Sequence, residues 1–451
     1  MIIDLRNINP NVILKRQPSA AIAYLVLFGV TAWFVWRFGA IALGSLVILS
    51  FFTYLAIKKP FYILLVTLAT IFFPANFEQA LGQTFPITPT RIFGLMLLLA
   101  IATHFNRSRW QNLKSNRTTA IAVVLVLWGA FTDLVSYPEY IGTFIIDTIP
   151  SLIVLAAVVL FVENREELNK VLAVIMLACL VTAVSGFVIY SKGRMSGLTG
   201  NANALAYNCI IGLTLALSFL KKPVLSLKNT LLTGFAGMFL LAFGFAASRS
   251  ASIGLLVAAF ILLRNFIKKP STLILIFSLF VLFLYIAPEI FWQRFQYIPL
   301  PGHAVYSSVQ SETGIRAWMY RRGWELFLAS PLWGWGAFSF PKVNGSLIPY
   351  VMHSWYLGML CEQGIIGLAL YLAFFTTIYK NIKTSIKVNT VTTDSSRYLL
   401  ALAIGLAVAG IFGSGPLDKL IFIMAGISVV LANISARETI KETDSTIDDT
   451  K

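Results

Sequence analysis

Cysteine is scarce. The three present, Cys179, Cys209 and Cys361, each lie inside an apolar run, so neither a disulfide framework nor a thiol metal site is implied, and all three read as small core residues. Histidine is equally rare, at His104, His303 and His353. Charge is sparse as well: 12% of the 451 residues are charged against 58% hydrophobic, and the mean hydropathy is +0.80. That balance excludes the ordinary globular and the disordered classes. No internal repeat and no soluble domain is visible. The basic start at Arg6, Lys15 and Arg16 is followed by a full-length apolar run without a small-residue cleavage pattern, so no cleaved signal peptide is expected.

What is present is a series of apolar runs from near Ser19 to near Ser435. Each is about twenty residues long, enough to cross a hydrocarbon core of roughly 30 Å as a helix. The expected fold is all-α, a polytopic membrane bundle of about 14 (12–14) transmembrane helices. A net charge of +16 would fit a nucleic-acid partner, but its placement does not. Lysines and arginines gather in alternate loops, at Lys58/Lys59, Arg107 to Arg117, Arg165/Lys170, Lys221 to Lys228, Arg264 to Lys269, Lys380 to Arg397 and Arg437. The positive-inside rule makes those loops cytoplasmic. The segments expected are then a cytoplasmic start (1–18), a membrane bundle (19–288), a long periplasmic loop with short helices (289–352), C-terminal membrane helices (353–435) and a disordered cytoplasmic tail (436–451).

Against that pattern the informative charges lie on the outer side. Arg194, in SKGRMSGLTGNANALA, and Arg249, in AASRSASIGLLVA, sit where charge bias gives no reason for them. They either meet an anion or snorkel to outer head groups. The stretch SSVQSETGIRAWMYRRGWELF, from Ser307, adds a third. A helix capped at Ser311 or Thr313 and ending at Ala329, before Pro331, places Arg321, Arg322 and Glu325 on one polar arc at about 100° per residue. Arg316 falls on the other side, with Met319, Tyr320, Gly323 and Phe327. An arginine on an apolar face needs a partner, either a bound anion or a carboxylate such as Glu312 or Glu289. His353 opens the membrane helix HSWYLGMLCEQGIIG where the long loop re-enters the bilayer. It is a hydrogen-bonded cap residue or the best available general base in that layer. Glu362, deeper and on another face, is expected to bond a neighbouring helix rather than His353. Asp133, Asp147 and Asp418, near outer helix ends, read as structural.

Three stretches together resemble the O-antigen ligase and O-antigen polymerase superfamily: SRSA at Ser248 to Ala251, the arginine-aromatic helix followed by SPLWGWGAFSF, and the His353 helix. The resemblance covers roughly Gly193 to Tyr371, with His353-Ser354 where the family usually has His-Asn. It implies an integral membrane glycosyltransferase of the bacterial inner membrane, acting at the periplasmic face. The implied reaction is an inverting, metal-independent transfer from a polyprenyl-diphosphate glycan to an acceptor hydroxyl, on a lipid A core or on the next lipid-linked repeat. It implies no cofactor and no nucleic acid; its partners are the lipid-linked donor, a lipid or glycan acceptor, membrane lipids and other polysaccharide assembly proteins. Carried across, the family's arginines are Arg249 and Arg316, with Arg194 at a less regular basic position, and its catalytic histidine is His353. Tyr320 and Trp355 are candidates for stacking on sugars, against the simpler account of an interfacial aromatic belt. A transporter or flippase for an envelope precursor or small anion is the rival reading, and a scaffold in an assembly complex is a second.

Overall fold

The computed structural model describes residues 40–72, 89–190, 193–220, 226–264, 270–296, 312–345, 351–388, 393–413 and 419–448. The segment 1–18 expected to be cytoplasmic, the apolar run from Ser19, His303, Asp418 and the first residues of the Ser307 stretch lie outside them. The chain divides into two compact units, Met1–Lys59 and Pro60–Lys451. The first is described by one apolar helix, α1 (Ala40–Lys58). In the second, the ordered elements are α2 (Pro60–Ile71), α3 (Pro89–Thr103), α4 (Arg107–Ser115), α5 (Arg117–Ser136), α6 (Ile141–Phe161), α7 (Arg165–Ile189), α8 (Ala202–Ser218), α9 (Leu227–Ala246) and α10 (Arg249–Leu263). They continue through α11 (Pro270–Ile286), α12 (Glu289–Gln296), α13 (Glu312–Ala329), the short α14 (Phe340–Val343), α15 (Trp355–Lys387), α16 (Thr393–Ala409) and α17 (Lys419–Asp448). Every described element is helical.

Six described helices are long and apolar enough to cross a membrane: α5, most of α6, α7, α9, α15 and α17. Shorter apolar helices, among them α2, α8, α10 and α16, stand with them. Helices are the expected solution, because a chain in hydrocarbon must satisfy its backbone polar groups internally. The starts are fixed by side chains: Asn116, Asn164, Asn201, Ser226 and Ser354 each accept backbone N–H groups of the first turn that follows. The polar tail differs from expectation. Instead of becoming disordered after Ala436, α17 runs on to Asp448, since extending an existing helix avoids the cost of nucleating one.

Small residues set the packing. Gly254 and Ala258 of α10 face Gly405 and Ala409 of α16, and a Cβ on Gly254 would lie 2.7 Å from the Gly405 carbonyl oxygen. Close approach of this kind takes the place of the missing hydrophobic drive between helices in lipid. The two ends of the bundle differ chemically. At one end, three segments read as cytoplasmic converge: Arg109 of α4 pairs with Glu163 at 2.6 Å, and Arg437 of α17 donates to the Glu163 carbonyl at 3.2 Å. At the other end lie the starts of α8, α10 and α15 and the end of α16, where the residues singled out above collect.

Candidate functional site

The corner between α9 and α10 positions two of the arginines. α9 ends on Ala247 in the left-handed conformation (φ 48°), Ser248 stands at the N-cap, and Arg249 is the first residue of α10. The loop carrying Arg194 is pinned to this corner: Met195 N–H donates to the Phe245 carbonyl at 3.1 Å, and Arg194 Nε donates to that of Ala246 at 3.0 Å. The Arg194 guanidinium also donates to Asn203 Oδ1 at 2.8 Å, which ties it to the first turn of α8. Arg194 and Arg249 are both half-buried. One turn into α8, the Tyr207 hydroxyl donates to Ser250 Oγ at 3.2 Å, next to Arg249.

Arg316 reaches the same place from α13. That helix is described from Glu312 and ends at Ala329, before Pro331 as expected; the expected cap at Ser311 lies outside the described residues. Arg321 and Arg322 both pair with Glu325, at 3.1 and 3.3 Å. The two guanidinium groups hold the Glu325 carboxyl below its ordinary pKa by direct hydrogen bonds. Arg321 is 83% exposed at its side chain, whereas Met319 and Gly323, on the face of Arg316, are buried. Arg316 itself is half-buried, and its guanidinium acts electrostatically on the Tyr207 hydroxyl. Among the described side chains no carboxylate pairs with Arg316; that of Glu312 lies outside them. Tyr207 thus bonds the Ser250 turn and lies within the electrostatic field of Arg316.

His353 precedes α15 rather than opening it. The helix begins at Trp355, and the cap is Ser354, whose Oγ accepts the Leu357 N–H at 3.3 Å. Serine does here the capping that asparagine would do. His353 is half-buried, and its carbonyl accepts the Tyr320 hydroxyl at 2.9 Å, so α13 carries Arg316 and holds the His353 segment together. Trp355 is buried, and its N–H donates to the Gly410 carbonyl at 2.8 Å.

Sequence reasoning did not foresee how SPLWGWGAFSF is held. α15 breaks at Gly364 (φ 69°, ψ −170°). Into the break fit Ile365 N–H to Pro331 O (2.8 Å), Trp335 N–H to Cys361 O (3.1 Å) and Gly336 N–H to Glu362 O (2.8 Å), while Trp128 of α5 donates to Gln363 O at 2.9 Å. Two acids from different helices complete the seat. The buried Glu362 carboxylate accepts Phe338 N–H at 3.2 Å and Phe340 N–H at 3.3 Å, and Asp133 accepts that of Ala337. Glu362 thus bonds a turn and the first amide of α14, not the flank of a neighbouring membrane helix. Lys342, its ammonium held below the ordinary lysine pKa by burial, sits within the field of both carboxylates. A glutamate followed two residues later by glycine was the available signal.

A cavity of about 360 Å³ opens on the other side of Tyr207. Its polar lining comes from Thr199, Asn201, Asn203, Tyr207 and Asn208, with Trp355; Phe72, Leu406 and Ile421 form part of its apolar wall. Asn203 belongs both to this wall and to the Arg194 hydrogen bond, so the cavity adjoins Arg194.

No curated protein matches the chain. Among solved structures, a chain from a peptidoglycan synthase complex, reported for the structural coordination of polymerization and crosslinking, superposes with a TM-score of 0.36 at 15% identity, over 71% of this chain and 97% of that one. A family model described as O-antigen ligase matches residues 234–372, a span that holds the α9–α10 corner, α13, the seated turn and the His353 helix. Over that span the chain is similar to the O-antigen ligase family.

Proposed function

We propose that this protein transfers a glycan from a polyprenyl diphosphate to an acceptor hydroxyl at the periplasmic face of the bacterial inner membrane, with inversion and without a metal ion. The reading is carried by one observation: Arg249, Arg316 and His353 all fall inside the matched O-antigen ligase span, and the contacts of Tyr207 and Tyr320 gather their segments at one end of the bundle. The segment 289–352 is then the periplasmic part of the chain, and the Arg109–Glu163–Arg437 end is cytoplasmic.

In this mechanism His353 takes the proton of the acceptor hydroxyl as its oxygen attacks C1 of the sugar. The C1–O bond to the diphosphate breaks, and the leaving group departs with the bonding pair. Arg316 and Arg249 stabilise the charge that develops on it, and Arg194 assists from the α8 side. Arginine suits the task because its planar fork stays charged and grips phosphate oxygens in pairs. The acceptor is a lipid A core for a ligase and the next lipid-linked repeat for a polymerase.

The test is release of polyprenyl diphosphate from lipid-linked glycan extracted from host membranes, by the purified protein in nanodiscs with a chelator present. Turnover should persist in chelator and fall by roughly 10²- to 10⁴-fold in His353→Ala. Full turnover in the alanine variant would remove His353 as the base.

A further inference from the structure

We propose that the cavity beside Tyr207 is a sugar subsite, which takes the uncharged ring attached to the diphosphate while the arginines hold the phosphates. This rests on the transferase reading and adds the place and chemistry of the glycan's first ring. Three observations carry it. The cavity, at about 360 Å³, falls in the range of small-molecule sites, roughly 300–1,000 Å³. Among the described residues no charged side chain lines it, which fits a neutral ligand. Its polar groups are amides and hydroxyls set opposite apolar side chains, and a pyranose likewise offers donors and acceptors at its rim and C–H groups on its faces.

The asparagines make the case specific. Asn208 is 9% exposed and lines the cavity, and among the described residues its side chain has no hydrogen-bond partner. An amide that opens into the cavity and makes no bond among the described residues is available to a ligand there, as donor and as acceptor. Asn201 and Asn203 use their Oδ1 atoms on backbone N–H groups and on Arg194 respectively, and each keeps an NH2 group as donor. The Asn203 link fixes the spacing: one amide touches both the ring's space and a phosphate-binding arginine.

Binding in nanodiscs separates the possibilities, with two probes: polyprenyl diphosphate, and the same lipid carrying one hexose or N-acetylhexosamine. In the wild type at least one sugar should tighten binding about tenfold over the bare lipid, the worth of one or two buried hydrogen bonds. Asn208→Leu, nearly isosteric, should erase that increment and leave bare-lipid affinity unchanged. Leu406→Trp, which fills the cavity from its apolar wall, should do the same. No increment with any sugar in the wild type overturns the subsite. Equal weakening of both probes by either variant overturns it too, and assigns the cavity to the lipid chain. Failure of the wild type to bind even the bare lipid would instead sink the transferase reading.

Discussion

Arg316 and Arg321 lie five residues apart on one helix and have opposite surroundings. Arg321 is solvated and paired with Glu325, while Arg316 is half-buried and its charge acts on the Tyr207 hydroxyl. Lysine substitutions distinguish charge from geometry at such a site. Arg316→Lys and Arg249→Lys should each lower turnover at least about tenfold, because lysine keeps the charge and loses the fork; Arg321→Lys should leave it within twofold. Unchanged turnover in both inner variants would reduce the arginines to general charge attraction. The position of Arg316 was legible because helical periodicity alone puts it off the polar arc. Asp133 and Glu362 were not legible as a pair. Their partners are backbone amides of Ala337, Phe338 and Phe340, and an amide leaves no mark in the sequence. Glu362→Ala leaves the buried Phe340 N–H and the half-buried Phe338 N–H unmatched, at roughly 1–3 kcal/mol for the buried one. A clear fall in the melting temperature of the protein in nanodiscs is expected, and no fall would mean that the turn holds itself.

At the scale of elements, the seated turn and the break in α15 form one device. A Cβ on Gly364 would come within 2.1 Å of the Leu332 carbonyl oxygen, and its backbone conformation is one that only glycine adopts without strain. The strain alone is worth roughly 1–3 kcal/mol. Gly364→Ala should therefore release the 330–340 turn, seen as faster hydrogen exchange at Trp335 and Gly336, with protection in α5 unchanged. Uniform exchange across both elements would mean that the turn is held by something else. The end of α13 was readable from Pro331, while the Asn and Ser caps of the membrane helices emerged only in the fold. The break was not readable either, since a glycine inside an apolar run is common and only a facing backbone gives it a reason to open there. His353 shows the same limit by one residue: the cap is Ser354, and that choice belongs to hydrogen-bond geometry rather than to hydropathy.

For the whole molecule, apolar run length and alternating basic loops made the all-helical membrane class readable. The packing was not readable, because Gly254 and Gly405 lie far apart in the chain and meet only in the folded bundle. Orientation gives a direct prediction. A cysteine replacing the exposed Arg321 should react with an impermeant maleimide added outside the inner membrane, and reaction only after access to the cytoplasm would invert the molecule.

The central claim, transfer from a lipid diphosphate with His353 as base, is tested most directly by mass spectrometry of polyprenyl-diphosphate glycans in host cells lacking the protein, complemented with wild type or with His353→Ala. Single lipid-linked repeats accumulating without the protein mark a polymerase, and long lipid-linked chains a ligase; in both cases wild type should clear the pool and His353→Ala should not. A pool that stays unchanged without the protein, or that the alanine variant clears as fully as wild type, contradicts the account.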